Sequence, residues 1–483
     1  MSNNNTNNVD KVVNVKTGYE KNKKFVMPHI YVILFVFSAL SAILTHFVPS
    51  GEYDRVPGPN GRMAIDPTSF HLIEQTPVGI VKFMTAIPRG LIDAGEIVFF
   101  IFIIGGMFTV LKRTGIIEVV VDKLARKFAN NGLLLIAVLT AAFSFIATLI
   151  GAVELSLVYI PVIIPLIIAL GYDSIVAASI ALCGTAAGYS AGVLNPINTG
   201  LAQKISGIPV FSGMGLRSIV LVLAITAAVA LTIRYAKTIK KDPTRSYVYE
   251  EDSAKRIEFK EIVGGAALTM SLRQKLAALT VLIIFALLVY GVINHGWFMI
   301  EMSGLFVIMG IAVGLIAGLK PIEICNGFNQ GFKDVLMGAF IAGLARSIAV
   351  IFEDGQIMDT IAHSLGTLVG DLPSELAAVG MFFVQVIINF IIPSGSGQAL
   401  VTMPIMAPLS DIIGVTRQTA VLAYQLGDGF AHILYPTSGY FMAALIIAGV
   451  PYQKWLRFFL PIYAAWAMIA ISALIVAQLI GWS

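Results

Sequence analysis

Long apolar segments separated by short polar ones dominate this chain. After a polar, Asn-rich stretch at residues 1–26, many segments run to about 20 apolar residues, the length that spans the hydrocarbon core of a bilayer. The first of them follows directly, at residues 27–49. The pattern predicts an all-α polytopic membrane protein with a short disordered cytoplasmic tail and an uncleaved first span.

The composition indicates a protein solvated mainly by lipid. Of the 483 residues, 57% are hydrophobic and 12% are charged, whereas a soluble protein carries about 25% charge. The net charge of +4 comes without a basic stripe interleaved with aromatic residues, so we expect no nucleic-acid partner. Cys183 and Cys325 have neither disulfide nor metal spacing, and we expect no bound cofactor and no resident metal.

One unusual passage occurs twice in the chain. Four residues recur 243 positions later: Pro161, Pro165, Gly171 and Gly184 correspond to Pro404, Pro408, Gly414 and Gly427. A further prolyl break, Pro196, corresponds to Pro436 after a small deletion. Two apolar segments interrupted by Gly and Pro, in matching places of two halves, are typical of the binding site of a secondary transporter.

The charges at the ends of the two copies predict that the second copy is inverted. Lys112-Arg113 ends a span of the first copy, and Glu353-Asp354 ends the matching span of the second. Positive charge favours the cytoplasmic side, so equivalent ends should face opposite sides of the membrane. The lysines within residues 21–24 place the N-terminus in the cytoplasm, and counting spans places the C-terminus outside.

These patterns divide the chain into six parts. We predict a tail at 1–26, a first span and external loop at 27–87, a first inverted repeat at 88–236, a solvated cytoplasmic linker at 237–273, scaffold spans at 274–330 and a second inverted repeat at 331–483. Each repeat holds a re-entrant hairpin, at about 132–170 and 374–413, and a broken helix, at 174–211 and 418–450.

The four breaks, GAVELS, NPINTG, PSGSGQ and YPTSG, should converge near the membrane midplane. Helix ends there leave unpaired backbone groups, and their positive N-termini suit carboxylates while carbonyl ends suit cations. Small hydroxyls and amides at the breaks suit a polar organic solute, and helix packing is their alternative use. These candidates are Ser156, Asn195, Asn198, Thr199, Ser394, Ser396, Gln398, Thr437 and Ser438, with a coupling Na⁺ as a candidate near Gly151, Asn195, Ser394 and Thr437.

Three ionisable residues fall inside predicted membrane segments, where charge is costly and marks functional sites. Glu154 and Asp428 are candidates to bind a substrate ammonium or guanidinium group, a coupling Na⁺ or a proton. Arg346 is a candidate to hold a substrate carboxylate with its bidentate fork. The alternative is an internal ion pair of Arg346 with Asp428 or Glu154.

Three further polar residues have structural interpretations beside functional ones. His432, four residues after Asp428, is either a proton relay or a packed histidine. Asp93 and Asp334 stand at the matched span starts, where we expect interfacial caps.

Five motifs carry a resemblance to a known family: FVPSGEYDR (47–55), GAVELSLVYIPVIIPL (151–166), NPINTG (195–200), IIPSGSGQALVTMP (391–404) and GDGFAHILYPTSG (427–439). The whole chain resembles the YfcC-like, or basic amino acid antiporter, family, which is allied to the anaerobic C4-dicarboxylate carriers of the ion transporter superfamily. The resemblance implies paired hairpins, an elevator-type mobile transport domain and a homodimer held by scaffold spans. It also implies arginine/ornithine exchange, or C4-dicarboxylates as in the allied branch.

Together these features predict a secondary transporter of the bacterial inner membrane that moves a small, basic amino acid by alternating access. The alternative is a C4-dicarboxylate carrier coupled to Na⁺ or H⁺. A channel would not need two inverted hairpins, and the sequence shows no G-x-x-x-x-G-K-[ST] motif for ATP-driven pumping. We expect no enzyme: there is no H-E-x-x-H pattern, and Ser394 and Ser396 have only His432 as a base nearby in the sequence.

Overall fold

The computed structural model describes residues 30–57, 63–196, 198–264 and 268–482. The tail predicted at 1–26 lies outside these residues. The described part is helical apart from four short strands, and eight of its helices are long and apolar enough to cross a membrane. The prediction of an all-α polytopic membrane protein is therefore confirmed.

The helices of the first half alternate between long apolar ones and short ones at the predicted breaks. They are α1 (Ile30–Leu44), α2 (Ile80–Asp93), α3 (Gly95–Arg113), α4 (Ile116–Phe128), α5 (Gly132–Ile150), α6 (Ser156–Ala169), α7 (Ser174–Ala191), α8 (Thr199–Ile205), α9 (Met214–Lys241) and α10 (Ser253–Gly264). Four strands lie between α1 and α2: β1 (Gly51–Glu52), β2 (Arg55–Pro57), β3 (Met63–Ile65) and β4 (His71–Leu72).

The second half begins with three long helices, continues with shorter ones around the predicted breaks and ends with another long helix. Its helices are α11 (Leu272–His295), α12 (Met299–Ala317), α13 (Pro321–Asp354), α14 (Met358–Gly370), α15 (Ser374–Ile391), α16 (Gly395–Ile412), α17 (Arg417–Ala431), α18 (Gly439–Ala448) and α19 (Tyr452–Leu479). The doubled prolines lie inside α6 and α16, where Pro165 and Pro404 are buried and Pro408 is exposed.

The 34-residue helix α13 organises one group of helices. Its length is about 50 Å, and α2 and α3 pack along it end to end, with α1 and α12 beside them. Gly331 meets Gly105 so closely that a Cβ atom on either side would clash. Arg113 donates to the Glu323 carbonyl at one end of α13 (2.9 Å). At the other end the Asp354 carboxylate is 2.6 Å from Arg89.

A second group surrounds α7 and α17, which are buried along nearly their whole length. Helix α5 packs against α7 where Gly188 meets the Ser144 backbone, and Ser144 Oγ donates to the Gly184 carbonyl at 2.7 Å. Helix α15 packs against α17 in the other half. Contacts of α8 with α16 and of α18 with α6 join the two halves. The sequence repeats are therefore interleaved in space.

The predicted external loop is shorter and more ordered than the sequence indicated. Helix α2 begins at Ile80, inside the stretch predicted to be loop up to residue 87, and the rest contains two antiparallel strand pairs, β1–β4 and β2–β3. Arg55 Nη2 donates to both carboxylate oxygens of Asp359, at 3.0 and 2.9 Å, which anchors the loop on α14. Turn residues were visible in the sequence, but these tertiary contacts were not.

Most described residues of the linker predicted at 237–273 are exposed or half-buried, but the segment is docked on the helices at a few buried positions. Val248 and Asp252 are fully buried. Asp252 accepts from the Ser174 backbone N–H (2.7 Å) and from Ser174 Oγ (2.6 Å), at the start of α7. Lys255 Nζ is 2.9 Å from Asp252 Oδ1 and donates to the Ala448 carbonyl, at the end of α18 (2.7 Å). Two charged residues of the linker, Asp252 and Lys255, therefore fix it to the start of α7 and to the end of α18.

The predicted boundary at 330/331 falls inside α13, so it does not separate scaffold spans from a second unit. For the same reason Asp334 is no cap: it lies well inside that helix and accepts from Gln330 (2.7 Å). Asp93 ends α2, but the N-cap position of α3 is Ala94, without a side-chain cap bond.

Candidate functional site

A cavity of about 690 Å³ lies where the tips of both helix hairpins, α5/α6 and α15/α16, meet the starts of α3, α12 and α18. This volume lies within the usual range for small-molecule sites. Six of the predicted residues line it: Gly151, Glu154, Asn198, Ser394, Ser396 and His432. Helix-breaking positions of both copies thus open into one cavity.

At the first break, between α5 and α6 and after α7, polar side chains pair with backbone groups. Gly151 ends α5 with a φ of +75°, and a Cβ atom there would collide with the Asn195 side chain. Asn195 Oδ1 accepts from the Asn198 backbone N–H (3.0 Å), and Thr148 Oγ1 accepts from Val193 N (3.1 Å). Asn195 is therefore fully buried behind Gly151 and holds the break in shape, while Asn198 reaches the cavity.

The second break presents the N-terminus of α16 to the cavity. Ser394 is the N-cap residue and its Oγ accepts from Gly397 N at 3.4 Å. Tyr424, on α17, donates its hydroxyl to the Gly395 carbonyl at 2.6 Å. Ser396 follows Gly395 and lines the cavity as well. The short residues of PSGSGQ thus leave backbone N–H groups of a helix start beside the open space.

Asp428 lies one layer behind the cavity and joins the two halves. It is fully buried, and its Oδ2 accepts from the Tyr189 hydroxyl at 3.0 Å. Its Oδ1 accepts from Asn389 Nδ2 at 2.8 Å and is 3.7 Å from His432 Nε2. The Tyr189 hydroxyl also accepts from Asn198 Nδ2. The Asp428 carboxylate on α17 therefore binds Tyr189 of α7 and Asn389 of α15 directly, and it contacts Asn198 of the first break through Tyr189.

His432 is a packed histidine that also reaches the cavity wall. It is 2% exposed, and its ring stacks on Tyr189 with the ring centroids 5.5 Å apart. Asn389 Nδ2 lies 2.9 Å from His432 Nδ1, and the other ring nitrogen, Nε2, faces Asp428 Oδ1 at 3.7 Å.

Gln398 supports the second hairpin rather than lining the cavity. Its Nε2 donates to the backbone carbonyl (2.9 Å) and to Oε1 (2.7 Å) of Gln385. Thr402 Oγ1 donates to the same Gln385 Oε1 at 3.1 Å. These amides tie α15 to α16 inside the protein, where unpaired amides would be costly.

Four other predicted residues are buried at the breaks and do not line the cavity. Ser156 Oγ donates to the Val153 carbonyl at 2.9 Å, which closes the turn before α6. The hydroxyl oxygens of Thr199 and Thr437 have no hydrogen-bond partner among the described residues. Ser438 is the N-cap residue of α18, whose first residue, Gly439, does line the cavity.

Glu154 is partly buried and lines the cavity, with no ion-pair partner within the described part of the chain. Two further carboxylates line it, Asp93 at the end of α2 and Glu96 in the first turn of α3. No Lys or Arg belongs to the described lining, in which His432 is the only basic side chain. The cavity therefore carries an excess of negative charge.

The alternative considered for Arg346, an internal ion pair with Asp428 or Glu154, is not formed. Arg346 Nη2 lies 3.2 Å from Glu353 Oε1 and 3.9 Å from Asp93 Oδ2, and its side chain is 34% exposed. Arg346 does not line the cavity and acts on it only through Asp93. The sequence placed Arg346 in mid-span, but the length of α13 brings it near the acidic end of that helix.

The cavity also depends on residues that the sequence analysis did not select, above all Tyr189, Asn389, Glu96 and Tyr440. Tyr189 is the one aromatic residue in the small-residue run CGTAAGYSAG, and such a run is a signal of close helix packing. Gln385 and Asn389 are amides four residues apart in an apolar segment, which also marks an intramembrane polar face. Glu96 and Tyr440 carried no comparable signal, because only packing brings α3 and α18 to the cavity.

Comparison with known proteins identifies relatives across almost the whole chain. The family model for DcuC, the C4-dicarboxylate anaerobic carrier, matches residues 27–479. An Escherichia coli (strain K12) protein described as "Putative basic amino acid antiporter YfcC" is 32% identical over 498 residues, which cover 95% of this chain and 98% of the relative. An uncharacterized protein of Haemophilus influenzae (strain ATCC 51907 / DSM 11121 / KW20 / Rd) is 28% identical, with 95% and 98% covered.

Two solved structures are also similar. MtrF of Neisseria gonorrhoeae, described as illuminating a class of antimetabolite efflux pumps, has 16% identity and a TM-score of 0.43, with 94% of this chain and 95% of that chain covered. The Alcanivorax borkumensis YdaH transporter has 15% identity and a TM-score of 0.42, with 94% and 99% covered.

The resemblance seen in the motifs is therefore confirmed by matches that extend over nearly the full sequence. The apolar helices and the relatives together indicate a multi-pass bacterial membrane protein that acts as a transporter. This chain belongs to the C4-dicarboxylate anaerobic carrier family, and it is similar to the YfcC proteins within it.

Proposed function

We propose that this transporter exchanges a small, basic amino acid across the bacterial inner membrane. The observation that carries the proposal is the charge of the cavity: three carboxylates line it, and no described lining residue is Lys or Arg. Arg346 lies 3.9 Å from Asp93 and offsets that carboxylate in part. Glu96 and Glu154 are left to attract a cationic side chain.

The α-carboxylate of the substrate requires a partner of opposite sign. The N-termini of α16 and α18 supply it at Ser394 and Gly439, where backbone N–H groups and the positive end of a helix dipole face the cavity. Ser396 and Asn198 add neutral polar groups beside them. A basic amino acid would then lie with its carboxylate at the helix starts and its cationic end towards Glu154 and Glu96.

A C4-dicarboxylate carrier is the second candidate, because the family model bears that description. The same helix N-termini could bind a carboxylate, but a dianion would also meet uncompensated Glu154 and Glu96. Each like-charge approach at about 4 Å costs on the order of 4 kcal/mol near a protein surface. Coupling to Na⁺ near Gly151, Asn195, Ser394 and Thr437, or to H⁺, would be needed to offset that repulsion.

Transport proceeds in this proposal by an elevator-type movement of inverted repeats within a homodimer. The support is the interleaving of the two copies: α7 and α17 carry the breaks, and the tips of both hairpins reach one cavity. When the helices around the cavity move against α13 and the helices packed on it, the site opens first to one side of the membrane and then to the other. The N-terminus is then cytoplasmic and the C-terminus external.

Counterflow in proteoliposomes tests the substrate class. Vesicles loaded with unlabelled arginine or ornithine should accumulate radiolabelled arginine, and vesicles loaded with succinate should not. Succinate-driven uptake of labelled succinate, with no arginine exchange, would replace this proposal by the dicarboxylate one.

The variant Glu154→Gln connects the activity to the cavity. It removes one of the two uncompensated charges, so we expect arginine counterflow to fall at least tenfold. Glu74→Gln is the matched control, since Glu74 is exposed in the external loop and lies outside the cavity lining. Equal loss in both variants, or no loss in Glu154→Gln, would remove Glu154 from the site.

A further inference from the structure

A second cavity, of about 450 Å³, lies away from the transport site, between the adjoining ends of α9 and α19 and the linker that follows α9. Three arginines line it: Arg234 on α9, Arg245 in the linker and Arg457 on α19. No acidic residue belongs to its described lining. Its charge is therefore opposite to that of the transport cavity.

The positive charge of this cavity is largely unneutralised. Within the described residues, Arg234 and Arg457 form no ion pair, and the Arg457 guanidinium lies over the Tyr247 ring, 4.5 Å from its centroid. Arg245 is 3.5 Å from Asp242, but both side chains are largely exposed, and such a pair is weak. An anionic ligand would meet at least two guanidinium groups that are free to form bidentate bonds.

Part of the cavity lining is apolar, and the two helices that carry it have mostly exposed apolar surfaces. The apolar part is formed by Leu231, Phe458 and Pro461. Only 28% of the apolar window of α9 and 33% of that of α19 is buried, and Leu460 next to the cavity is 50% exposed. The arginines thus stand at one end of a surface that hydrocarbon chains cover in a bilayer.

The residues around the cavity are of the types found at the depth of lipid headgroups. The same end of α9 carries Lys237 and Lys241, which the charge distribution places on the cytoplasmic side. Tyr235 and Tyr247 line the cavity at the boundary between its apolar and its charged parts, as aromatic residues do at membrane interfaces. Basic pockets between helix ends on that side are suited to anionic headgroups.

We propose that this cavity binds the phosphate-bearing headgroup of an anionic phospholipid, with its acyl chains along the apolar surface of α9 and α19. Arg234 and Arg457 bind the phosphate, and Arg245 adds charge from the linker side. The site is independent of which substrate the transporter carries.

Binding there should strengthen the docking of the linker on the helices. The Tyr235 hydroxyl donates to Asp173 Oδ2 at 2.6 Å and accepts from Tyr247 N at 3.0 Å. Asp173 is the N-cap of α7, the helix that leads to the first break, and it accepts from Val176 N at 2.9 Å. A lipid held against these tyrosines stabilises the folded state according to its concentration and dissociation constant.

Thermal unfolding of the delipidated full chain in neutral detergent tests the proposal. Added phosphatidylglycerol should raise the melting temperature, and phosphatidylcholine at the same concentration should not. In the variant Arg234→Gln/Arg457→Gln the apparent affinity for phosphatidylglycerol should fall about 30-fold, from roughly 1 kcal/mol for each basic residue near the surface. Native mass spectrometry should show the corresponding loss of bound lipid.

The control Lys237→Gln/Lys241→Gln removes the same amount of charge from the end of α9 but none from the cavity lining, and it should retain the phosphatidylglycerol response. Arg234→Lys/Arg457→Lys keeps the charge and should retain most of the response, which separates binding from a folding defect. An equal loss in the lysine control would reduce the effect to general surface charge and overturn the site. A full response to inorganic phosphate alone would overturn the lipid and indicate a soluble anion.

Discussion

Gly395 provides the most direct test of the junction behind the transport cavity. A methyl group at this position would overlap the Tyr189 hydroxyl and the Asn198 amide and would lie 2.8 Å from Asp428 Oδ2. Ordinary contacts of a Cβ atom begin at 3.4 Å, so all three groups would have to move. Tyr189 has little room, because it is 3% exposed and its ring stacks on His432.

Two costs add in the variant Gly395→Ala. Overpacking a tight interior costs about 1–3 kcal/mol. Displacing Tyr189 breaks its 3.0 Å hydrogen bond to Asp428. A hydrogen bond to a charged group is worth about 1.5–3 kcal/mol, so we expect a total loss of about 2.5–6 kcal/mol in the free energy of unfolding.

Gly397→Ala is the matched control, two residues further along the same helix. Its Cβ atom would lie 3.2 Å from Ser394 Oγ and no closer than 3.4 Å to any other neighbour. Because alanine restricts the unfolded chain, this substitution should be neutral or should stabilise the protein by up to about 1 kcal/mol.

Thermal unfolding in detergent and arginine counterflow in proteoliposomes measure both variants. Gly395→Ala should melt at a lower temperature and lose at least 90% of counterflow, whereas Gly397→Ala should match the parent protein in both assays. If the two variants melt together and transport equally well, the close contact of α16 with α7 and α17 is not present in the working protein, and the reasoning fails.

Three further predictions concern other parts of the structure. Asp428→Asn should abolish or uncouple transport while the protein still elutes as a folded species, because the buried carboxylate orients the tyrosine and the amides around it; unchanged uptake would exclude Asp428 from the mechanism. Position 113, at the end of α3, lies beside the start of α13, and position 354 lies at the end of α13. Cysteines at these two positions should react with an impermeant thiol reagent from opposite sides of the membrane. Labelling of both from one side would refute the inverted topology. Asp252→Ala should lower the free energy of unfolding by about 3 kcal/mol, because it leaves Lys255 without its 2.9 Å partner. The control Glu250→Ala, at an exposed linker position, should change the free energy of unfolding by less than about 0.5 kcal/mol. Equal melting temperatures of the two variants would show that the linker is not docked.

Much of the candidate site could be selected from the sequence because a break in a membrane helix needs distinctive residues. Gly151, Glu154, Ser394 and Ser396 all stand at such breaks, and all of them line the cavity. Arg346 shows the limit of that reasoning. Its position in an apolar run indicated an intramembrane charge, but its nearest carboxylates are those of Glu353 and Asp93.

The helices and the doubled breaks follow from the sequence alone, because lipid leaves the backbone no partner except itself and each departure from a helix must be marked by Gly, Pro or a polar side chain. Residues that act through packing depend on the tertiary structure. Tyr189 and Asn389 meet Asp428 only because α7, α15 and α17 pack together, and the linker is docked because Asp252 binds the start of α7. The local composition of a segment reflects whether it lies in lipid or in water. Contacts between distant segments depend on how the helices pack against one another.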